Sequence, residues 1–326
     1  MSQTVAKPRL TYLDTTKGLA IFSVLILHFT SDNFLFKILA PWHVWQAMPF
    51  FLFVAGVTGN MVWKKYKGNL AAYYRDLPQR ALALYMPYAV GTILYHMVMD
   101  QRLSIDVFFN TMVMGYLGPG GYFVPLIVTH LAIFPLVLKI REKLGSDLRF
   151  LAIAMLFSMV CELPFSMCDV DASQYVYRIF YFRYLFVCCL GAVLSENNPF
   201  SPRLFGMLTG IGALYIFLVC YLDWQLPGIR TDGWYFQHYL AFFYTAAVVQ
   251  TLRRLEAHIP LLSMWIRLGK SSYDIFIFQL FFFVTIYPWF QVNVFRECLG
   301  FVLCICGGLA LTWLQNCWQH ITNTPR

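Results

Sequence analysis

Charge is what this chain has least of. Only 12% of its 326 residues are Asp, Glu, Lys or Arg, against 59% apolar and 18% aromatic, and the mean hydropathy is +0.60. A soluble globular domain carries about twice that share of charge, so the composition excludes one and indicates a polytopic membrane protein. Metal-knuckle spacings and a disulfide framework are also missing. Of nine cysteines, Cys188 and Cys189 are neighbours and Cys304 and Cys306 alternate, all within apolar runs, so they read as reduced, buried small hydrophobes. Cys168 and Cys298 alone fall in expected outer loops, where a bridge is open to them. No internal repeat, linker or low-complexity tract interrupts the chain, and residues 1–326 read as one domain. The first apolar stretch lacks a small-residue cleavage site and reads as a retained helix. The net charge of +8 does not indicate nucleic acid, because the basic residues cluster between apolar runs, where they set topology.

What is present is a series of ten membrane-length apolar runs: 18–36, 43–63, 81–99, 121–139, 150–167, 179–195, 204–222, 238–252, 272–290 and 299–318. With both termini inside, 18 of the 24 Lys and Arg residues fall on inner connections and 6 on outer ones. That asymmetry supports an all-α fold of about ten transmembrane helices with both ends in the cytoplasm. Two outer segments look ordered or specialised. Residues 100–120 carry apolar side chains at helical spacing and end in a hinge-like Gly118-Pro119-Gly120-Gly121, and 223–237 mixes Asp223, Trp224, Arg230, Asp232 and Trp234.

The first run holds the most informative spacing. Asp14, Thr15 or Thr16 is placed to cap a helix start, and Lys17 and His28 follow eleven residues apart. At 100° per residue that separation returns to about 20° past three turns, so both side chains share a face roughly 16 Å apart along the axis. Asp14 lies to one side of that face. A cation at the water boundary suits an anionic head, helped by Arg75, Arg80 and the Lys64, Lys65, Lys67 cluster on the same side. A buried imidazole can take a proton from a hydroxyl. A long donor with a phosphorylated head and a reactive far end, such as an acyl-coenzyme A, fits such a face.

These residues carry a resemblance. Tyr12-Leu13-Asp14-x-x-Lys17-Gly18-Leu19 followed by His28 resembles the opening signature of acyltransferase family 3, the integral-membrane O-acyltransferases. Met48-Pro49-Phe50-Phe51-Leu52-Phe53 with Ala55-Gly56, Arg80 through Pro87-Tyr88, Gly121-Tyr122-Phe123-Val124-Pro125-Leu126, and Leu268-Gly269-Lys270-Ser271-Ser272-Tyr273 are similar to later motifs in the same order. The likeness spans residues 9–290 and is nearest to small sugar O-acetylases, fucose O-acetylases among them. Two positions depart from the pattern: Gln279 and Ala47 stand where the family often has histidine.

The resemblance implies transfer of an acetyl group from cytoplasmic acetyl-CoA to a hydroxyl of a cell-envelope glycan or lipid-linked sugar, in the bacterial inner membrane and without a metal. It assigns Lys17 to the donor's phosphates or to positioning the histidine, and Arg80 to the same anionic head. His28 becomes general base or transient acyl carrier. Asp14 orients Lys17 or the imidazolium, or simply caps the helix, and Tyr122 donates to a developing oxyanion or serves as an interface aromatic. Glu162, costly to bury, is expected to bridge to Arg183 or Arg178, and His96 and His130 to be core histidines. His43 and His238 lie at outer helix ends, where an acceptor could meet them. The rival readings are a proton-coupled secondary transporter using Lys17, His28 and Glu162, and a glycan exporter. Transport predicts pseudo-symmetric halves, of which the sequence has no sign.

Overall fold

Inside a bilayer every backbone polar group must be satisfied within its own segment, and long apolar runs therefore become helices. The computed structural model describes residues 10–98, 104–115, 117–167, 174–224, 237–287 and 294–322, and among them there are helices and no strands. In chain order these are α1 (Thr11–Phe29), α2 (Asp32–Lys37), α3 (Ala47–Lys65), α4 (Leu70–Val98), α5 (Ile105–Met114), α6 (Phe123–Leu144) and α7 (Asp147–Met167). They continue with α8 (Gln174–Ile179), α9 (Leu185–Leu194), α10 (Pro202–Tyr221), α11 (Phe242–Arg254), α12 (Leu262–Lys270), α13 (Ser272–Phe281) and α14 (Val294–Thr322). Among the described residues five segments, Leu70–Val98, Phe123–Leu144, Asp147–Phe165, Pro202–Tyr221 and Arg296–Trp318, are long and apolar enough to cross a membrane. Large apolar side chains face outward on them: Leu82, Met97, Leu156, Met207 and Trp318 are 57 to 73% exposed. Such a surface belongs against lipid, and the chain is a multi-pass helical membrane protein.

Packing relies on close helix crossings at small residues. A methyl group on Gly18 would collide with the Trp265 carbonyl, and one on Gly269 with the Asp14 carbonyl, so α1 and α12 touch backbone to backbone. Gly56 and Gly191 bring α3 against α9 in the same way, and Gly307 and Gly308 seat Phe278 and Ile275 of α13 against α14. The long apolar helices line the outside, while α1, α3, α9 and α13 form the centre.

Two boundaries differ from expectation. Helix α1 starts at Thr11, one turn early, and the hydroxyls of Thr15 and Thr16 bond back to the carbonyls of Thr11 (3.1 Å) and Tyr12 (2.8 Å) instead of capping. It also stops at Phe29, where Thr30 turns extended, and the run expected to reach residue 36 resumes as the short α2. His28 is thus in the last turn of its helix. The segment 100–120, expected on the outer side, contains α5, capped by Ser104, whose hydroxyl accepts from Val107 N–H at 3.2 Å. Lys7, Arg9, Arg102, Cys168, Arg230, Asp232, Trp234 and Arg326 lie outside the described residues.

Candidate active site

The close approach of α1 to α12 fixes the Lys17 end of the first helix. Asp14, 3% exposed, pairs with Lys17 at 2.8 Å, one turn apart on the same helix. The lysine side chain is 28% exposed and keeps one side open. It lines a cavity of about 300 Å³ formed with Thr58 of α3, Leu84 of α4, Ile127 of α6, and Lys270, Ser272 and Tyr273 at the α12 to α13 junction. The Tyr273 hydroxyl donates to the Leu84 carbonyl and ties α13 to α4 across this space.

His28 lines a second, smaller cavity of about 110 Å³ with Leu27, Trp45, Pro119, Gly120, Tyr122, Arg178 and Gln237. Its ring meets Phe283 edge-on at 5.7 Å, in a π-helical stretch, Phe282–Ile286, that continues α13. Among the described residues no hydrogen bond to either ring nitrogen of His28 is formed. The two cavities adjoin. Val24 of α1, Met48 of α3 and Phe276 of α13 line both, so the Lys17 chamber and the His28 chamber meet at these three side chains.

A buried polar network backs the His28 chamber. Arg183, fully buried, donates to Glu162 (3.2 Å), to the hydroxyls of Tyr184 (2.6 Å) and Tyr177 (2.8 Å), and to the Gln237 carbonyl (3.1 Å). Tyr177 also donates to Glu162 at 2.9 Å. The Gln237 amide then donates to the Trp45 carbonyl at 3.3 Å and accepts from Tyr184 at 3.2 Å. Two wall residues, Trp45 and Gln237, are therefore held by an ion pair in which every oxygen and most N–H groups are matched. Removing one member of such a pair costs about 3–5 kcal/mol. The expected bridge from Glu162 falls on Arg183.

The other sequence candidates are spread more widely. Tyr122 is buried in the His28 chamber and not in the Lys17 chamber. Arg80 stacks over the Tyr73 ring at 4.5 Å, one turn before Leu84. Arg75 is 79% exposed beside Asp76 at 3.5 Å and lines neither chamber. Nor do His43, His238 and His96: the His43 Nε2 bonds the Ile38 carbonyl at 2.8 Å, His238 stacks on Tyr215, and His96 packs edge-on to Tyr95. Met48, Phe276, Gln237 and Lys270 were not anticipated as wall residues. Three of them sit within or beside recognised motifs, but only the packing of separate helices brings them to one space.

At the Lys17 side of the molecule a charged clamp joins α3, α6, α7 and the end of α9. Glu196 receives Lys64 at 3.0 Å, Arg141 at 3.3 Å and the Asn60 amide, and Arg141 also holds Asp147 at 2.7 Å. Partial burial pushes the Glu196 carboxyl up, but Asn60, Lys64 and Arg141 outweigh it and hold the group below the usual carboxylate range. No cluster of three metal-ligating side chains occurs among the described residues.

A helical membrane protein with a cation-lined chamber joined to a histidine-lined one is the class this geometry defines. Residues 10–315 match the family model described as Acyltransferase domain, and the chain belongs to acyltransferase family 3. Among curated proteins and among solved structures no significant match is found.

Proposed function

We propose that the protein moves an acetyl group from acetyl-CoA, entering from the cytoplasm through the Lys17 chamber, to a hydroxyl of an envelope glycan or lipid-linked sugar at His28. In this reading the ten apolar runs cross the inner membrane with both ends cytoplasmic. The observation that supports it is that the cavity lined by Lys17 and the cavity lined by the unengaged imidazole of His28 share Val24, Met48 and Phe276 as walls.

Lys17, steadied by Asp14, meets the donor's phosphates, with Lys270 and more distantly Arg80 and Arg75 adding positive potential. A ring nitrogen of His28 takes the proton of the acceptor hydroxyl, and the oxygen attacks the thioester carbonyl carbon. Tyr122 in the same chamber donates to the oxyanion. The carbon–sulfur bond then breaks, the imidazolium returns its proton to the departing thiolate, and an O-acetyl ester and free CoA thiol remain. Base catalysis of this kind contributes about 10² to 10⁴ in rate.

The test is thiol release and acetyl incorporation by the purified chain in lipid nanodiscs, with L-fucose as the probe acceptor and envelope glycans analysed by mass. His28→Ala is expected to lower turnover by about 10² or more, and Lys17→Met to raise KM for the donor. Turnover indifferent to both substitutions overturns the reading.

A further inference from the structure

The three side chains that divide the chambers come from three helices and are all at most 8% exposed: Val24, Met48 and Phe276. Val24 stands seven residues beyond Lys17 and four before His28, which places the division roughly 10 Å from the cation and roughly 6 Å, about one turn, from the imidazole. Phe276 is fixed from two sides. It packs edge-on to Phe123 with ring centroids 5.5 Å apart, and a methyl on Gly120 would come within 3.3 Å of its ring. Gly120 has φ +91°, a left-handed conformation that glycine adopts without strain. The hinge-like Gly118-Pro119-Gly120-Gly121 thereby lets the backbone close over Phe276 without a side chain in the way.

Beyond this collar the cavity measures only about 110 Å³. That space must take the acyl chain, the thioester carbonyl and the attacking hydroxyl together. The Lys17 chamber, at about 300 Å³, is the larger.

We infer that Val24, Met48 and Phe276 form a selectivity collar that limits the transferred group to short acyl chains, with Phe276 as the principal determinant. The inference rests on the proposed acyl transfer and names the residues that set its donor class. A longer chain either stops at the collar, leaving the thioester short of His28, or fills the small chamber and displaces the acceptor hydroxyl. Discrimination against each added methylene is then about tenfold or more.

The experiment measures kcat/KM for acetyl-, propionyl-, butyryl- and hexanoyl-CoA, by thiol release with L-fucose as acceptor and with water alone. It compares the full-length wild type with Phe276→Ala, Met48→Ala and Phe276→Trp, each checked for a monodisperse peak in nanodiscs. The wild type is expected to fall steeply from acetyl to butyryl. Phe276→Ala raises the butyryl-to-acetyl ratio at least tenfold, Met48→Ala raises it less, and Phe276→Trp lowers it. A wild type active on acetyl-CoA whose chain-length profile is flat, or is unmoved in the monodisperse variants, overturns the collar alone. A wild type that releases thiol from none of the four donors overturns the acyl-transfer reading and the collar with it.

Discussion

His28 and His130 are both histidines inside the same helical body, and they are wired in opposite ways. His130 is 2% exposed, stacks on Phe134 at 4.5 Å, and has both ring nitrogens engaged. The Ala55 carbonyl, 3.2 Å from Nε2, can only accept, so Nε2 carries the hydrogen and donates. Nδ1 then accepts from the Tyr181 hydroxyl at 3.0 Å. A neutral imidazole has one donor and one acceptor, and His130 has used both. His28 has an aromatic neighbour on one side and a chamber on the other, with no hydrogen bond to the described residues. A histidine with both nitrogens matched is scaffold; one that lines a cavity with neither nitrogen matched is available to substrate.

The sharpest way to break that contrast is to remove each ring. His28→Ala is expected to lower turnover by about 10² or more with little loss of fold, because its nitrogens bond to none of the described residues. His130→Leu does the reverse: it strands the Tyr181 hydroxyl and the Ala55 carbonyl in an apolar interior, at a cost of about 2 kcal/mol or more. Thermal unfolding of the two variants, beside their kcat per folded molecule, checks both. Should His130→Leu lose turnover while keeping its melting temperature, the wiring rule fails, and Ala55, which lines the Lys17 chamber, would be the place to look.

Much of this is legible in the chain itself. The helical, membrane-embedded character of the chain follows from its apolar runs, because lipid leaves the backbone no other local solution, and five of the helices among the described residues are long and apolar enough to span a membrane. A charge such as Glu162 needs a partner, and Arg183 was one of two within reach. What the sequence hides is where helices end and which ones touch. Apolar periodicity carries no mark at Phe29, so the early stop that puts His28 in a last turn could not be read. Sequence alone groups Arg75 and Arg80 with Lys17 because all three are basic and at one end; their separation depends on how α4 packs against α6 and α13. The walls at Met48, Phe276 and Gln237 come from positions far apart in sequence, where only tertiary packing sets proximity.

Gln279 sharpens the comparison from the other side. It is fully buried, and neither end of its amide has a hydrogen-bond partner among the described residues, yet it lines neither chamber. An unmatched polar group without a void is expected to be a cost alone. Gln279→Leu should therefore raise stability by about 1 kcal/mol and leave kcat/KM unchanged. A fall in turnover at unchanged stability would instead place Gln279 against substrate, where its relatives in the resemblance often carry histidine.

The smallest effect is expected where the charges are most completely matched and most wet. Glu196 is held below its ordinary value of 4.5 by Asn60, Lys64 and Arg141, which means that the folded state binds its proton more weakly than the unfolded chain does. Its contribution to stability is fully present above pH 4.5 and is lost as pH falls through the lower folded value. The carboxyl is partly exposed, and screening limits that contribution to well under the buried Arg183 and Glu162 pair. Glu196→Gln should accordingly lower the melting temperature slightly at pH 7, and the gap to wild type should close on acidification below pH 4.5. A gap that stays constant with pH would mean that the clamp at the Lys17 side is held by packing around Asn60 and Trp63, and that its charges are incidental to it.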